Sequence, residues 1–372
     1  MLTQRPIPST MKAAVLEAPR RIVLREIPVW PIESYDDPDL VLVKVAACGI
    51  CGSDFRYYAG ENPWALHTLG RTVENPPNIV LGHEFAGEVV AVLDEKNAGL
   101  LGRRVAPVCS KVCGRCPECL AGLTQLCPNT IHMGHGQGWG KQDFYPGAYA
   151  EYVPAWGRGC SIIPDGVSFP EAAMMDILAV CVHVASQGDI RAGRPVLMMG
   201  AGPAGNGIAQ AARILGASPV VVTDVTDAAL DLARRRGFDA IVNAHNKTSA
   251  ALAGELSAWA PNGFASVFDS VGGRVSFELG LRLLAKKGTL VNMAVHDAEI
   301  PVNFLRLGSE RRITTSSNFA PEDFERALSW LGSGRFAVAD WLTEIRLEDV
   351  PKVFADAEAG KPKAFKSVIK FC

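Results

Sequence analysis

The segment Val196-Leu-Met-Met-Gly200-Ala-Gly202-Pro-Ala-Gly205 constrains the fold more than any other stretch of the chain. Four apolar residues predict a short buried strand, the G-x-G-x-x-G run a tight turn, and Pro203 to Leu215 the helix that follows. In such a unit Gly200 permits the sharp turn, Gly202 lets an anion approach the backbone, and Gly205 lets helix pack on strand. Pro203 and Ala204 fall in the first helical turn, where free N–H groups and the positive end of the helix dipole hold a pyrophosphate. Pro203 has no N–H to offer but suits that position. Asp224 closes the next apolar run, Val220 to Thr223, and is placed to accept bonds from ribose hydroxyls. A 2′-phosphate would meet that carboxylate, and Val225-Thr226 bring no arginine, so NAD is expected over NADP.

The surroundings extend this unit. Glu171 to Gln187 predicts a helix, Gly188 to Gly193 a turn, and Ala228 to Arg236 a further helix. Further strand candidates are Ile241–Val242, Ser266–Phe268 and Thr289–Met293, separated by helix-length segments. Alternation of this kind specifies a parallel sheet covered on both faces. The first 165 residues differ: short apolar runs such as Lys12–Leu16, Val41–Ala46 and Phe85–Val92, broken by Gly and Pro, suggest a barrel-like β domain. From about residue 310 the texture is mixed again, ending in a strand-like Ser367–Phe371. Two insertion-like loops, 60–78 and 129–146, carry aromatic and His residues. The 372 residues suggest two or three domains. A formal charge of −2 argues against nucleic acid and anionic membrane as partners. Met1 to Met11 has no secretory character, and Ala172 to Ala185 is too short for a span and is interrupted by Asp176, so a soluble, cytoplasmic protein is expected.

Five of ten cysteines crowd into residues 109–127. Cys113-x2-Cys116-x2-Cys119-x7-Cys127 brings four thiolates around one ion and leaves no coordination place open, the pattern of a structural zinc site. Buried apolar cysteines and a DNA-reading zinc ribbon are the alternatives. Lys111 and Arg115 with Glu118 form no basic stripe. Cys109 lies outside the spacing and is read as a core thiol.

A second metal signal is dispersed over Gly49-Ile-Cys51-Gly-Ser53-Asp54, Gly82-His83-Glu84 and Asp176. Together with the cysteine lobe and the Gly-rich turn, these motifs resemble the zinc-containing medium-chain alcohol and polyol dehydrogenases, from Met11 to Cys372. The resemblance implies a catalytic zinc on Cys51 and His83, with Asp176 as third ligand in the manner of sorbitol- and threonine-dehydrogenase-like members. Cys181 is the competing candidate. Glu84 resembles the family's neighbouring or exchangeable carboxylate, and Ser53 the hydroxyl that bonds the substrate oxygen. A thiolate and a carboxylate with neutral His83 offset the charge of Zn²⁺ and leave a fourth place for water or alcohol. Many relatives have a proton-relaying His where this chain has Arg56, which stays protonated. Arg56 then either holds an anionic or hydroxyl-rich part of the substrate or pairs with a surface carboxylate. Tyr57, His135 and Trp139 are the further expected substrate contacts, and Trp64, His67, His132 and Tyr145 share the same long loops. The Arg-Tyr pair by which sorbitol dehydrogenases contact substrate has no counterpart near Thr315-Ser316, which argues against plain sorbitol.

The expected architecture is α/β: a GroES-like β-barrel domain from residues 1–170 and 310–372, bearing the zinc lobe 109–127, and a Rossmann domain from 171–309. The active site is expected between them. The expected activity is transfer of hydride from a secondary alcohol of a polyol, cyclitol or sugar derivative to NAD, with two zinc ions per subunit, one catalytic and one structural. The resemblance also implies a homotetramer or homodimer. A phosphorylated polyol or threonine as substrate, a zinc-free NADPH quinone reductase, and a non-enzymatic protein on the same scaffold are the rival readings.

Overall fold

Val196–Met199 is buried along its whole length because strands flank it on both sides and helices follow from its ends. The computed structural model describes residues 1–3, 6–295, 299–361 and 363–371. In the unit Ile177–Asp340, six parallel strands run in the order Ala240–Asn243, Val220–Asp224, Val196–Met199, Phe264–Asp269, Leu284–Asn292 and Arg312–Thr315. Helices Pro203–Ile214, Asp227–Arg235, Ser249–Ser257 and Arg274–Leu283 supply the crossovers. The inner strands are continuous apolar runs, as expected when both faces are covered.

The last strand corrects the sequence reading. Arg312–Thr315 pairs in register with Thr289–Asn292, and the helix Pro321–Gly332 follows it, so residues 310–340 belong to this unit rather than to the β domain. The strand is the sheet edge and only partly buried, so it carries no apolar run to announce itself.

The other unit comprises Met1–Asp176 and Trp341–Cys372. Its organising strand is Leu40–Gly49, which pairs antiparallel with Glu84–Val92, Tyr152–Trp156 and Lys366–Lys370. A smaller sheet of Arg21–Pro28, Thr10–Ala18 and Ile79–Val80 shares the same apolar core. Three segments differ from the sequence reading. The loop 60–78 contains a helix, Pro63–Leu69, capped by the Asn62 side chain and ended by Gly70. In the loop 129–146, Ile131–His132 pairs with Ser110–Lys111. The helix expected over 171–187 is two helices, Phe169–Ala172 behind a Ser168 cap and Met175–Gln187. Among the described residues no helix is long and apolar enough to cross a membrane.

The C-terminal segment reaches back to support the helix Gly52–Tyr58. Phe354, on the helix Val350–Glu358, is fully buried, with its ring 4.7 Å from that of Phe55 and 5.2 Å from that of Tyr58. Replacing Phe354 by Ala is expected to cost about 3–5 kcal/mol through lost burial and a cavity. Denaturant unfolding should show this; a loss below about 1 kcal/mol would mean the helix Gly52–Tyr58 is held by other contacts.

Candidate functional site

Four of the sulfurs come together as their spacing predicts. The Sγ atoms of Cys113, Cys116, Cys119 and Cys127 all lie within 4.8 Å of one another, and none is in a disulfide. Backbone N–H groups point at the sulfurs, Cys113 N at Cys127 Sγ (3.4 Å) and Cys119 N at Cys116 Sγ (3.5 Å). The amide of Arg115 is the largest influence pulling the Cys113 thiol down to about 6. The Cys119 thiol is pushed up, chiefly by burial, and the Cys116 thiol up to about 12, so a cation is what would let these sulfurs ionise together, and four sulfurs this close suit a tetrahedral zinc.

The second group is built around the end of the strand Leu40–Gly49. Cys51 precedes the helix Gly52–Tyr58, and His83 and Glu84 enter the adjacent strand Glu84–Val92. One ligand atom from each of Cys51, His83 and Glu84 lies within 4.8 Å of the other two. Asp176, expected as the third ligand, is not part of this group: its Oδ1 accepts from Cys109 Sγ at 3.2 Å. Cys109 is buried in the apolar core, as expected of a core thiol, and also lies 3.5 Å from His132 Nε2. Cys181 lies within the unit Ile177–Asp340 and donates to the Ala204 carbonyl of that same unit.

Asp54 ties the group together. Its Oδ2 accepts from Cys51 N (2.8 Å) and Tyr149 OH (2.7 Å), and its Oδ1 lies 3.5 Å from His83 Nδ1. Lys366, fully inside the domain, contacts Glu84 Oε2 at 2.5 Å. Apart from that contact, both Glu84 oxygens lack a hydrogen-bond partner, as do Asp54 Oδ1 and His83 Nδ1. If Cys51, Asp54, Glu84 and Asp176 all ionise, four negative charges meet the single permanent positive charge of Lys366. Burial opposes a charge on His83, but Asp54 and Cys51 outweigh it and hold its pKa well above the ordinary value. The Asp176 carboxyl is pushed up by burial. The donors thus recruit protons where a divalent cation would serve the same electrostatic need, and the residues fit zinc in both donor type and charge.

The other expected contacts divide. Ser53 is half-buried in the first turn of the helix Gly52–Tyr58. Tyr57 is buried, bonded to Asn62 Oδ1 (3.2 Å), and stacks on His135 at 4.4 Å. His135 also stacks on His132 (4.0 Å) and meets His83 edge-on (4.9 Å), and both of its buried ring nitrogens lack a hydrogen-bond partner. Burial, then repulsion from neighbouring imidazoles, keeps it neutral, and burial pushes His132 down to about 3. Arg56 is ion-paired with Glu61 at 2.7 Å, the surface alternative weighed from sequence. Trp139 donates to the His132 carbonyl (2.9 Å) and packs on Tyr35 and Trp156, which makes it a brace for the loop. Asp54, Lys366 and Tyr149 were not assigned roles from sequence, His132 was placed only in a long loop, and Cys109 was read as a core thiol. Only Asp54 carried a local signal, its place three residues after Cys51.

In the unit Ile177–Asp340, Gly200 has φ +97° and a Cβ there would collide with Ser270 Oγ. A Cβ on Gly205 would strike the Gly200 carbonyl oxygen, so the helix starts as close to the turn as its backbone permits. By contrast a Cβ on Gly202 would meet nothing within 4 Å, and no side chain caps the helix at that point. The turn therefore presents open space at an uncapped helix N-terminus beginning at Pro203, the requirement of a pyrophosphate cradle. Asp224 accepts from Ala201 N (2.6 Å) and Thr226 N (2.8 Å), which fixes its carboxylate beside the turn with lone pairs to spare.

Residues 37–165 match the alcohol dehydrogenase GroES-like domain family, and residues 203–333 match the zinc-binding dehydrogenase family. The chain is 30% identical to the Aspergillus clavatus protein named "Probable D-xylulose reductase A" over 336 residues, covering 89% of this chain and 90% of that one. It is 34% identical to sorbitol dehydrogenase of Bacillus subtilis over 237 residues, covering 64% and 62% of the two chains. A solved structure from Sinorhizobium meliloti 1021, provisionally assigned as a zinc-binding dehydrogenase and bound to NADP, superposes with a TM-score of 0.84. It is 27% identical and covers 98% of this chain and 100% of that one.

Because metal binding contributes folding energy, Cys119→Ala is expected to lower both zinc content and melting temperature. An unchanged melting temperature would remove the structural role assigned to the lobe.

Proposed function

The chain belongs to the zinc-containing medium-chain polyol dehydrogenases, and on that premise we propose that it oxidises a secondary hydroxyl of an uncharged polyol, cyclitol or sugar derivative with NAD. The observation that carries this reading is the donor group of half-buried Cys51 with buried His83 and Glu84, with the unpartnered nitrogens of His135 beside His83.

Cys51, His83 and a carboxylate would hold a zinc ion, which would supply Lewis acidity toward an alcohol, and a nicotinamide at the Gly-rich turn would supply the hydride chemistry. The remaining tasks fall to the chain. Asp54 faces His83 Nδ1 and leaves Nε2 as the ring's lone-pair donor. Ser53 Oγ is the acceptor proposed for the substrate's hydroxyl proton. His135, neutral and wedged between Tyr57 and His132, has one ring N–H to donate and one lone pair to accept with, which suits a second hydroxyl. His135 itself brings no charge to a carboxylate or phosphate. Arg56, weighed from sequence for holding an anion, is paired with Glu61. Both features favour uncharged substrates over phosphorylated polyols and amino acids.

The preference for NAD rests on Asp224, whose charge beside the Gly-rich turn repels a 2′-phosphate and whose oxygens suit ribose hydroxyls.

Zinc-loaded protein is expected to reduce NAD⁺ with at least one free polyol or cyclitol in a screen that also contains sugar phosphates and amino alcohols. Cys51→Ala should abolish that turnover while leaving NAD binding and the melting temperature near those of the wild type. Faster turnover of the phosphorylated substrates would refute the uncharged class. Asp224→Ser is expected to erode the ratio of kcat/KM for NAD over NADP by about tenfold or more, equivalent to about 1.4 kcal/mol. An unchanged ratio would dismiss the role of Asp224.

A further inference from the structure

Lys366 is 5% exposed and its partner Glu84 1% exposed, with 2.5 Å between Nζ and Oε2. Burying two charges is costly unless each serves a purpose. The strand Lys366–Lys370 runs antiparallel to Leu40–Gly49 with Val368 opposite Gly49, which carries Lys366 past the end of that strand toward Cys51. Glu84 is thus shared. One of its oxygens meets the ammonium, while the same carboxylate offers a ligand atom within 4.8 Å of those of Cys51 and His83. The space for this is provided by Gly49, where a Cβ would collide with Glu84 Oε2. The second carboxylate of the site, Asp176, is meanwhile engaged by Cys109 at 3.2 Å. Each carboxylate near the Cys51–His83 pair therefore has its own partner in the protein.

We propose that Lys366 is a positioning residue that competes with a metal ion on Cys51 and His83 for the Glu84 carboxylate, and so sets how tightly that ion is gripped. The proposal rests on the metal role given above to Cys51 and His83. With Glu84 drawn to the ammonium, the ion has fewer anionic donors and a coordination place stays available to substrate. With the ammonium gone, Glu84 has only the ion to neutralise it, and the grip tightens. Lysine suits the task because its ammonium is a compact charge on a flexible stem and can hold one oxygen while leaving the other free. A lysine that merely balanced a buried glutamate would affect folding and leave metal release alone.

The test follows zinc loss from the holoenzyme into a chelator, with total zinc counted beforehand and folding checked by melting temperature. Lys366→Met is expected to release the zinc that does not belong to the cysteine lobe more slowly than wild type, on the order of tenfold. The double variant Lys366→Met/Glu84→Gln should lose that retention and release zinc at least as fast as wild type. Lys366→Arg keeps the charge but can grip both Glu84 oxygens, and should release zinc faster than wild type. This variant carries the test if Lys366→Met does not fold. Zinc release from folded Lys366→Met at the wild-type rate or faster would overturn the proposal. So would retention in the double variant equal to that of the single one, or an unchanged rate in Lys366→Arg when it alone folds. A wild-type protein holding only the lobe zinc would overturn the metal role of Cys51 and His83 as well, and zinc counting distinguishes that failure before any chelator is added.

Discussion

A cluster of acidic side chains is the constraint on which the β domain depends. Cys51, Asp54, Glu84 and Asp176 converge within a core otherwise built from valine, leucine, alanine and aromatic rings. Isolated carboxylates are not tolerated in such surroundings. The chain answers with Lys366 against Glu84, with Tyr149 OH and Cys51 N against Asp54, and with His83 drawn toward its charged form. Much of the local architecture exists to bring these answers into place: the C-terminal strand carries Lys366, and the helix Gly52–Tyr58 carries Asp54.

The two cysteine-bearing regions illustrate different ways of gathering atoms that could hold a metal ion. The lobe is local: four sulfurs within one short loop, with backbone amides aimed at them, so the site depends on little else. The Cys51–His83–Glu84 group is assembled from separate segments and borders other polar groups, including the stacked imidazoles of His132 and His135. Closed coordination suits the first to holding the fold, while the second is surrounded by groups with bonding capacity to spare. His135 is the clearest case, a buried ring with two idle nitrogens.

What could be read from sequence follows the range of the interactions involved. The strand Val196–Met199 and the start of the helix at Pro203 agree with their expected limits, because a strand, a turn and a helix N-terminus are specified by adjacent residues. The lobe was legible for the same reason. Arg312–Thr315 was not, since an edge strand with mixed polarity gains its place only by pairing with Leu284–Asn292. The helix Pro63–Leu69 was hidden inside an apparent loop, although the Asn62 cap, Pro63 and Gly70 together form a recognisable start and stop. Asp176 was expected on the metal, and its contact with Cys109 depends on a residue far away in sequence. Lys366 could not have been found at all: a lysine near a C-terminus is ordinarily solvated, and only the register against Leu40–Gly49 buries it beside Glu84.

The most direct measurement is anomalous diffraction at the zinc edge from crystals of the zinc-loaded protein. Two peaks per chain are predicted, one enclosed by Cys113, Cys116, Cys119 and Cys127 and one bonded to Cys51 Sγ and His83. A single peak in the lobe, or a second peak away from Cys51 and His83, would contradict the reading of this protein as a zinc-dependent polyol dehydrogenase.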